Sequence, residues 1–110
     1  MKPIPRSLLI HSAELREVSE DEWQNEKVQS STALMRVRIE PITKLVTTSN
    51  NRTVTLSATL FYDCRNSRPA GVEFRQGQRI VFGSREYIVE TVEELFDKQK
   101  LHHLEVGLCL

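Results

Sequence analysis

Residues Thr53-Val54-Thr55-Leu56-Ser57-Ala58-Thr59-Leu60-Phe61-Tyr62 alternate strictly. Val54, Leu56, Ala58, Leu60 and Tyr62 fall on one parity, and Thr53, Thr55, Ser57, Thr59 and Phe61 on the other. Successive side chains of a strand point to opposite faces, so this period-2 pattern predicts a strand with one buried and one wetter face.

The C-terminus repeats the pattern. His102, Leu104, Val106, Leu108 and Leu110 share one parity, while Leu101, His103, Glu105, Gly107 and Cys109 share the other. Met35, Val37 and Ile39 alternate with Leu34, Arg36 and Arg38 as far as Pro41, whose missing N–H confines it to an edge, a bulge or a strand end. A third strand is therefore expected over roughly 33–40. Ile80-Val81-Phe82 and Glu86-Tyr87-Ile88-Val89 flank Gly83-Ser84, a hairpin signal. Leu8 to Val18 reads as a strand on the Leu9, Ala13, Leu15 parity, with a short helix on a Leu8, Leu15, Val18 stripe as the alternative. The polar run Glu20-Asp21-Glu22-Trp23-Gln24-Asn25-Glu26 then turns the chain back toward a strand around Val28, with Trp23 half-covering an end of the core. The fold class expected is all-β: a small barrel or sandwich of about five to seven mostly antiparallel strands with long polar loops.

At 110 residues the chain has enough apolar material for one core and not for two. A single β domain over 1–110 is expected, with 1–6 as a flexible N-terminal arm. No apolar run approaches the ~20 residues that span a bilayer, and the opening lacks the pattern of a signal peptide, so no membrane partner and a cytoplasmic location are expected. Fifteen basic and fifteen acidic side chains cancel, but unevenly. Residues 1–35 carry four bases and six acids (−2), 36–85 nine and three (+6), and 86–110 two and six (−4). A neutral total hides a basic middle between acidic ends.

The candidates for chemistry are thin. Cys64 and Cys109 offer neither a disulfide framework nor a zinc set, and Cys64 has no histidine near it in sequence. His102 and His103 are strand neighbours expected to face opposite sides, which discourages a shared metal ion. His103 is expected beside Glu105 on the outer face, and His11 reads as a strand histidine of the same kind. Gly71, Gly77 and Gly83 stand singly in turns and form no phosphate cradle. No catalytic, cofactor-binding or metal-ligating residue is assigned, no cofactor is expected, and the reading is not an enzyme. Two polar loops remain as binding surfaces, Thr47 to Arg52, with Asn50, Asn51 and Arg52, and Asp63 to Gly71, with Arg65 and Arg68.

Pro3-Ile4-Pro5 with Leu8-Leu9-Ile10-His11, Val37-Arg38-Ile39-Glu40-Pro41, Leu60-Phe61-Tyr62-Asp63-Cys64 and Lys100-Leu101-His102-His103-Leu104-Glu105-Val106-Gly107-Leu108, in this order and spacing, resemble the small minor capsid proteins of tailed phages and prophages of Gram-positive bacteria. Those are encoded in the head-to-tail gene cluster. The resemblance implies a head-completion or stopper-like subunit that assembles in a ring, joins the DNA-filled capsid to the tail, and resides in the virion after assembly in the host cytoplasm. Its implied partners are copies of itself, although the isolated chain can be a monomer, and neighbouring portal, adaptor and tail proteins.

A head-to-tail ring needs two different, complementary patches on each subunit. The uneven charge suggests them: Arg65, Arg68 and Arg75 on one side, facing Glu90, Glu93 and Glu94 of a neighbour. One of the two loops is expected to project into a central channel or onto the layer below. The rival expectation is a small β-barrel nucleic-acid-binding module. The chain lacks the aromatic interleaving of an RNA-recognition sheet, which leaves non-specific contact with packaged DNA as the weaker form of that idea.

Overall fold

A computed structural model describes residues 3–20, 23, 25–48 and 50–110, with Glu20 and Glu26 described in the main chain alone. A 3-10 turn, Arg6–Leu8, precedes six strands: β1 (His11–Glu20), β2 (Glu26–Thr47), β3 (Thr53–Asp63), β4 (Arg79–Phe82), β5 (Arg85–Asp97) and β6 (Lys100–Cys109). They close in the order β1-β2-β3-β6-β5-β4, each neighbour antiparallel to the next. The all-β class and the strand reading of the first segment hold, and closure answers the edge problem that an open sheet of this size would carry.

The parity read from Thr53 to Tyr62 decides what the barrel contains. Leu56, Ala58, Leu60 and Tyr62 are buried, and Ala58, Leu60 and Tyr62 pair across β6 with Leu108, Val106 and Leu104, also buried. Leu15, Leu34, Val37, Ile39, Ile80 and Val89 complete the wall, and Phe74 closes one end edge-on against Tyr62. Burying such side chains stabilises by about 1.5–3 kcal/mol each before chain entropy is subtracted.

β2 departs from the sequence reading. One strand spans what was expected as a strand around Val28 and a second over 33–40. It continues past Pro41, where the register with β3 slips between Pro41 and Lys44 and so absorbs the missing N–H. The inward parity also changes within it. Leu34 and Val37 are both fully buried, whereas Met35 is 54% exposed. Residues three apart on a regular strand face opposite sides, so one residue must drop out of step. Arg36 does so, in the left-handed region at φ 57°, opposite a register shift between His11 and Ala13. That conformation costs about 1 kcal/mol outside glycine, and the Ser67 hydroxyl donates a hydrogen bond to the Arg36 carbonyl there.

One further expectation is corrected. Trp23 is 77% exposed instead of covering an end of the core; much of the turn around it, Asp21, Glu22 and Gln24, lies outside the described residues. The described part of the 1–6 segment is tied down: the Ile4 N–H donates to Asp63 Oδ1 at 3.1 Å, and the Asn66 amide donates to the Ile4 carbonyl at 2.9 Å.

Strands of unequal length leave overhangs. β1 meets β4 only from Glu14 to Arg16, and β3 meets β6 only from Ala58 to Asp63. The β1–β2 and β2–β3 hairpins therefore run past the barrel, which gives the molecule a long axis of 47 Å against 28 and 27 Å. At the base of the second overhang Leu56 reaches Gly107: a Cβ added there would lie 2.8 Å from Leu56 Cδ1 and collide with Thr91 Oγ1. Gly107→Ala is expected to lower stability by about 1–3 kcal/mol through overpacking, measured as a fall in urea midpoint, whereas an unchanged midpoint would show that the hairpin does not press on β6.

Candidate interaction surfaces

The tip of the β2–β3 hairpin is a tight turn. The Thr48 N–H donates to the Arg52 carbonyl at 2.8 Å and the Asn51 N–H to the Thr48 carbonyl at 3.0 Å, with Asn51 left-handed at φ 60°. The Thr48 hydroxyl, buried, donates to Asn50 Oδ1. Asn50 and Asn51 are thus exposed at the tip, and Arg52 bends back onto the barrel. Its Nη2 donates to both carboxylate oxygens of Glu90, at 3.0 and 2.8 Å.

Glu90 accordingly differs from its expected role. It is 5% exposed, beside a register shift of β5 between Val89 and Thr91, and it is satisfied within its own chain. The Cys109 thiol donates to its Oε1 at 3.3 Å. Burial first, then this hydrogen bond and the Glu90 charge, push the thiol up to about 11. Arg75 is also engaged at home: it donates to Glu17 and lies 3.6 Å from Glu73. Of the charges expected to meet across a subunit boundary, Arg65 and Arg68 on one side and Glu93 and Glu94 on the other stand exposed.

Arg65 and Arg68 are placed by Asp63, which is fully buried at the end of β3. Its Oδ2 accepts the N–H groups of Arg65 (3.2 Å) and Asn66 (2.8 Å), and its own N–H donates to Ser67 Oγ at 2.9 Å, an Asx-type turn. Farther along, the Tyr62 hydroxyl donates to the Pro69 carbonyl. The main chain of Arg68 then pairs with Met35 of β2 in both directions, at 2.8 and 2.9 Å. Exposed Arg36 thereby joins Arg65 and Arg68, a neighbour that sequence reasoning missed because nothing in an alternating strand marks residue 36 as adjacent to a loop some thirty positions later.

On the acidic side Glu93, Glu105, Thr91, Thr59 and Lys44 line a shallow cavity of about 320 Å³ under the overhanging hairpin. His103 Nε2 lies 3.0 Å from Glu105 Oε2, the expected outer-face pair. His102 and His103 differ from expectation in touching each other, Nδ1 to Nδ1 at 2.7 Å. One of those nitrogens must carry the hydrogen; if His102 donates, His103 has its own N–H free for Glu105. His11 accepts the Ile39 N–H at 3.0 Å. Among the described residues no group of three or more His, Cys, Asp or Glu side chains is arranged to hold a metal ion.

The class defined by this geometry is a small closed β-barrel whose charged groups are sorted onto opposite walls and a loop. The family is a viral one. Residues 5–108 match the model of the minor capsid protein family, and the chain belongs to it. It is thereby a phage minor capsid protein, a structural component of the virion. No curated protein gives a significant match to the chain.

Two measurements test these contacts. With the Cys109 thiol near 11 against an ordinary 9, thiolate at pH 8 is about 100-fold scarcer than in a free cysteine, so alkylation should be slower by that order and should accelerate in Glu90→Gln; equal rates in both proteins would contradict the contact. The Glu14 and Glu17 carboxyls are held below their ordinary 4.5, Glu14 by Arg16 then Ser31, Glu17 by Gln78 then Arg75. Their contribution is complete above that value and is lost as pH falls through the lowered one. Glu17→Gln should therefore flatten the acid limb of the stability curve below about pH 4.5; an unchanged limb would remove Glu17 from the account.

Proposed function

We propose that this chain is a ring-forming subunit of the head-to-tail connector, a head-completion or stopper-like protein that joins the DNA-filled capsid to the tail and carries out no catalysis. The observation that carries the reading is the extent of the family match: residues 5–108 take in all six strands almost entirely. The shared property is thus the barrel as a building block. A ring contact supplies affinity through buried apolar area and main-chain pairing, and exposed ion pairs worth about 0–1 kcal/mol each set its orientation. Arg65 and Arg68 opposite a neighbour's Glu93 and Glu94 fit that division of labour. Portal or adaptor proteins above and tail proteins below are the unlike partners, with assembly in the host cytoplasm. Asn50 and Asn51, exposed at the tip of an overhanging hairpin, would project into a channel or onto an adjoining layer.

The rival, a nucleic-acid-binding barrel, draws on the exposed Arg36, Arg65 and Arg68. Binding of that kind loses affinity steeply with salt. Disrupting the gene in the phage that encodes it should yield DNA-filled heads without tails, restored by the gene in trans. Infectious tailed particles without the protein would overturn the reading, and tight, salt-sensitive duplex or single-strand binding by the purified monomer would favour the rival.

A further inference from the structure

Among the described residues several stretches of strand are unpaired on one side, β1 beyond Arg16 and β3 before Ala58 included, and two others, on β2 and β5, match each other. β2 is bonded to β1 over residues 26–37, but on its other side it meets β3 only from Val37 onward, and Met35 is bonded to Arg68. The outer edge of 28–33 has no main-chain partner among the described residues. β5 is bonded to β6 as far as Asp97, whereas on its other side it meets β4 from Arg85 to Ile88 and the Gly77–Gln78 turn at Val89. The outer edge of 91–96 likewise has no main-chain partner among the described residues. Open edges of this kind template pairing with another chain.

These two edges are complementary in placement, direction, charge and apolar content. β2 and β5 are three places apart in either direction around the ring of six, so they lie on opposite walls. The free stretch of each lies at the same end of the barrel, the end where β3 finishes at Asp63 opposite His103. Because every neighbouring pair is antiparallel, strands three places apart run in opposite directions. β2 of one copy is therefore opposed in direction to β5 of the next, and the two form an antiparallel ladder once the barrels turn relative to each other so that the tilts of the facing strands come into line. Alignment of 28–33 against 91–96 sets Val28, 50% exposed, against Phe96, 53% exposed. In that register Glu94 and Glu93 fall opposite Ser30 and Ser31, and Arg68, bonded to Met35 four residues farther along the same edge with Arg65 and Arg36 near it, reaches back toward them across about 13 Å, a gap that an extended arginine and an extended glutamate span together. Both sets are exposed, and neither side-chain set has a carboxylate or cationic partner among the described residues.

We infer that the ring contact is a β-sheet ladder between the 28–33 edge of one copy of this chain and the 91–96 edge of the next, with Arg65 and Arg68 facing the neighbour's Glu93 and Glu94. This deepens the connector reading and rests on it for the ring. Such a contact uses different patches on the two partners, so it propagates until rotation closes it.

Charge exchange tests it. Glu93→Lys with Glu94→Lys makes both edges basic, and Arg65→Glu with Arg68→Glu makes both acidic. Each protein alone should need at least about tenfold more concentration than the natural chain to assemble in sedimentation velocity at low salt. An equimolar mixture should recover assembly, with the two proteins alternating; recovery also shows that both are folded. Ala33→Pro should weaken assembly while leaving the thermal melt close to the natural one. Met35 directs its N–H away from β1, and alternation points that of Ala33 the same way, so this proline removes only an edge donor. If the natural chain assembles and both charge variants assemble equally well alone, the edge contact is overturned and the ring reading stands. If the natural chain remains monomeric up to millimolar concentration, self-assembly itself fails.

Discussion

β2 is longer than any strand that lies beside it. Its first half is bonded to β1 and its second half to β3, with Val37 at the handover, paired to His11 on one side and Tyr62 on the other. Everything distinctive about the molecule follows from that mismatch. The central parts of the strands close a barrel around Leu60, Tyr62, Val106 and their neighbours, and the surplus length emerges as hairpins with open edges. A barrel of matched strands would have the same core and nothing to offer a neighbour.

The core was legible in sequence where a strand kept its step. Leu56 to Tyr62 and Leu104 to Leu108 show their buried parity directly, and Gly83-Ser84 marks the β4–β5 hairpin, because alternation and turn chemistry are local. β2 was not legible as one element. Arg36 shifts its parity, so Leu34 is inside and Met35 outside, the reverse of what unbroken alternation gives for that pair. Pro41 then resembles a stop although a bulge carries the strand through. The acidic run after Val89 is the second half of β5, with Val92 packed against the core. At Leu110 the alternation outlasts the strand, and the side chain is 67% exposed.

The site was legible as composition and not as geometry. A basic middle and an acidic end are visible in any count of charges, but the count cannot separate Glu90 from Glu93. Glu90 sits beside the β5 register shift and turns inward to Arg52, where it holds the hairpin tip against the barrel. Arg75 is likewise committed to Glu17. Closure satisfies these two charges internally and leaves Arg65, Arg68, Glu93 and Glu94 outside. That sorting is a property of the fold, reached only once the strands are in register.

In the proposed assembly the barrel meets its neighbours along exposed strand edges and needs no deep cleft. The most direct test is a reconstruction of the portal vertex of the phage that encodes this chain, at a resolution that traces strands. The account predicts a ring of six-stranded barrels between head and tail, with β2 of each barrel continuing into β5 of the next. Barrels placed elsewhere in the shell, or a ring whose subunits touch through other walls, would contradict it.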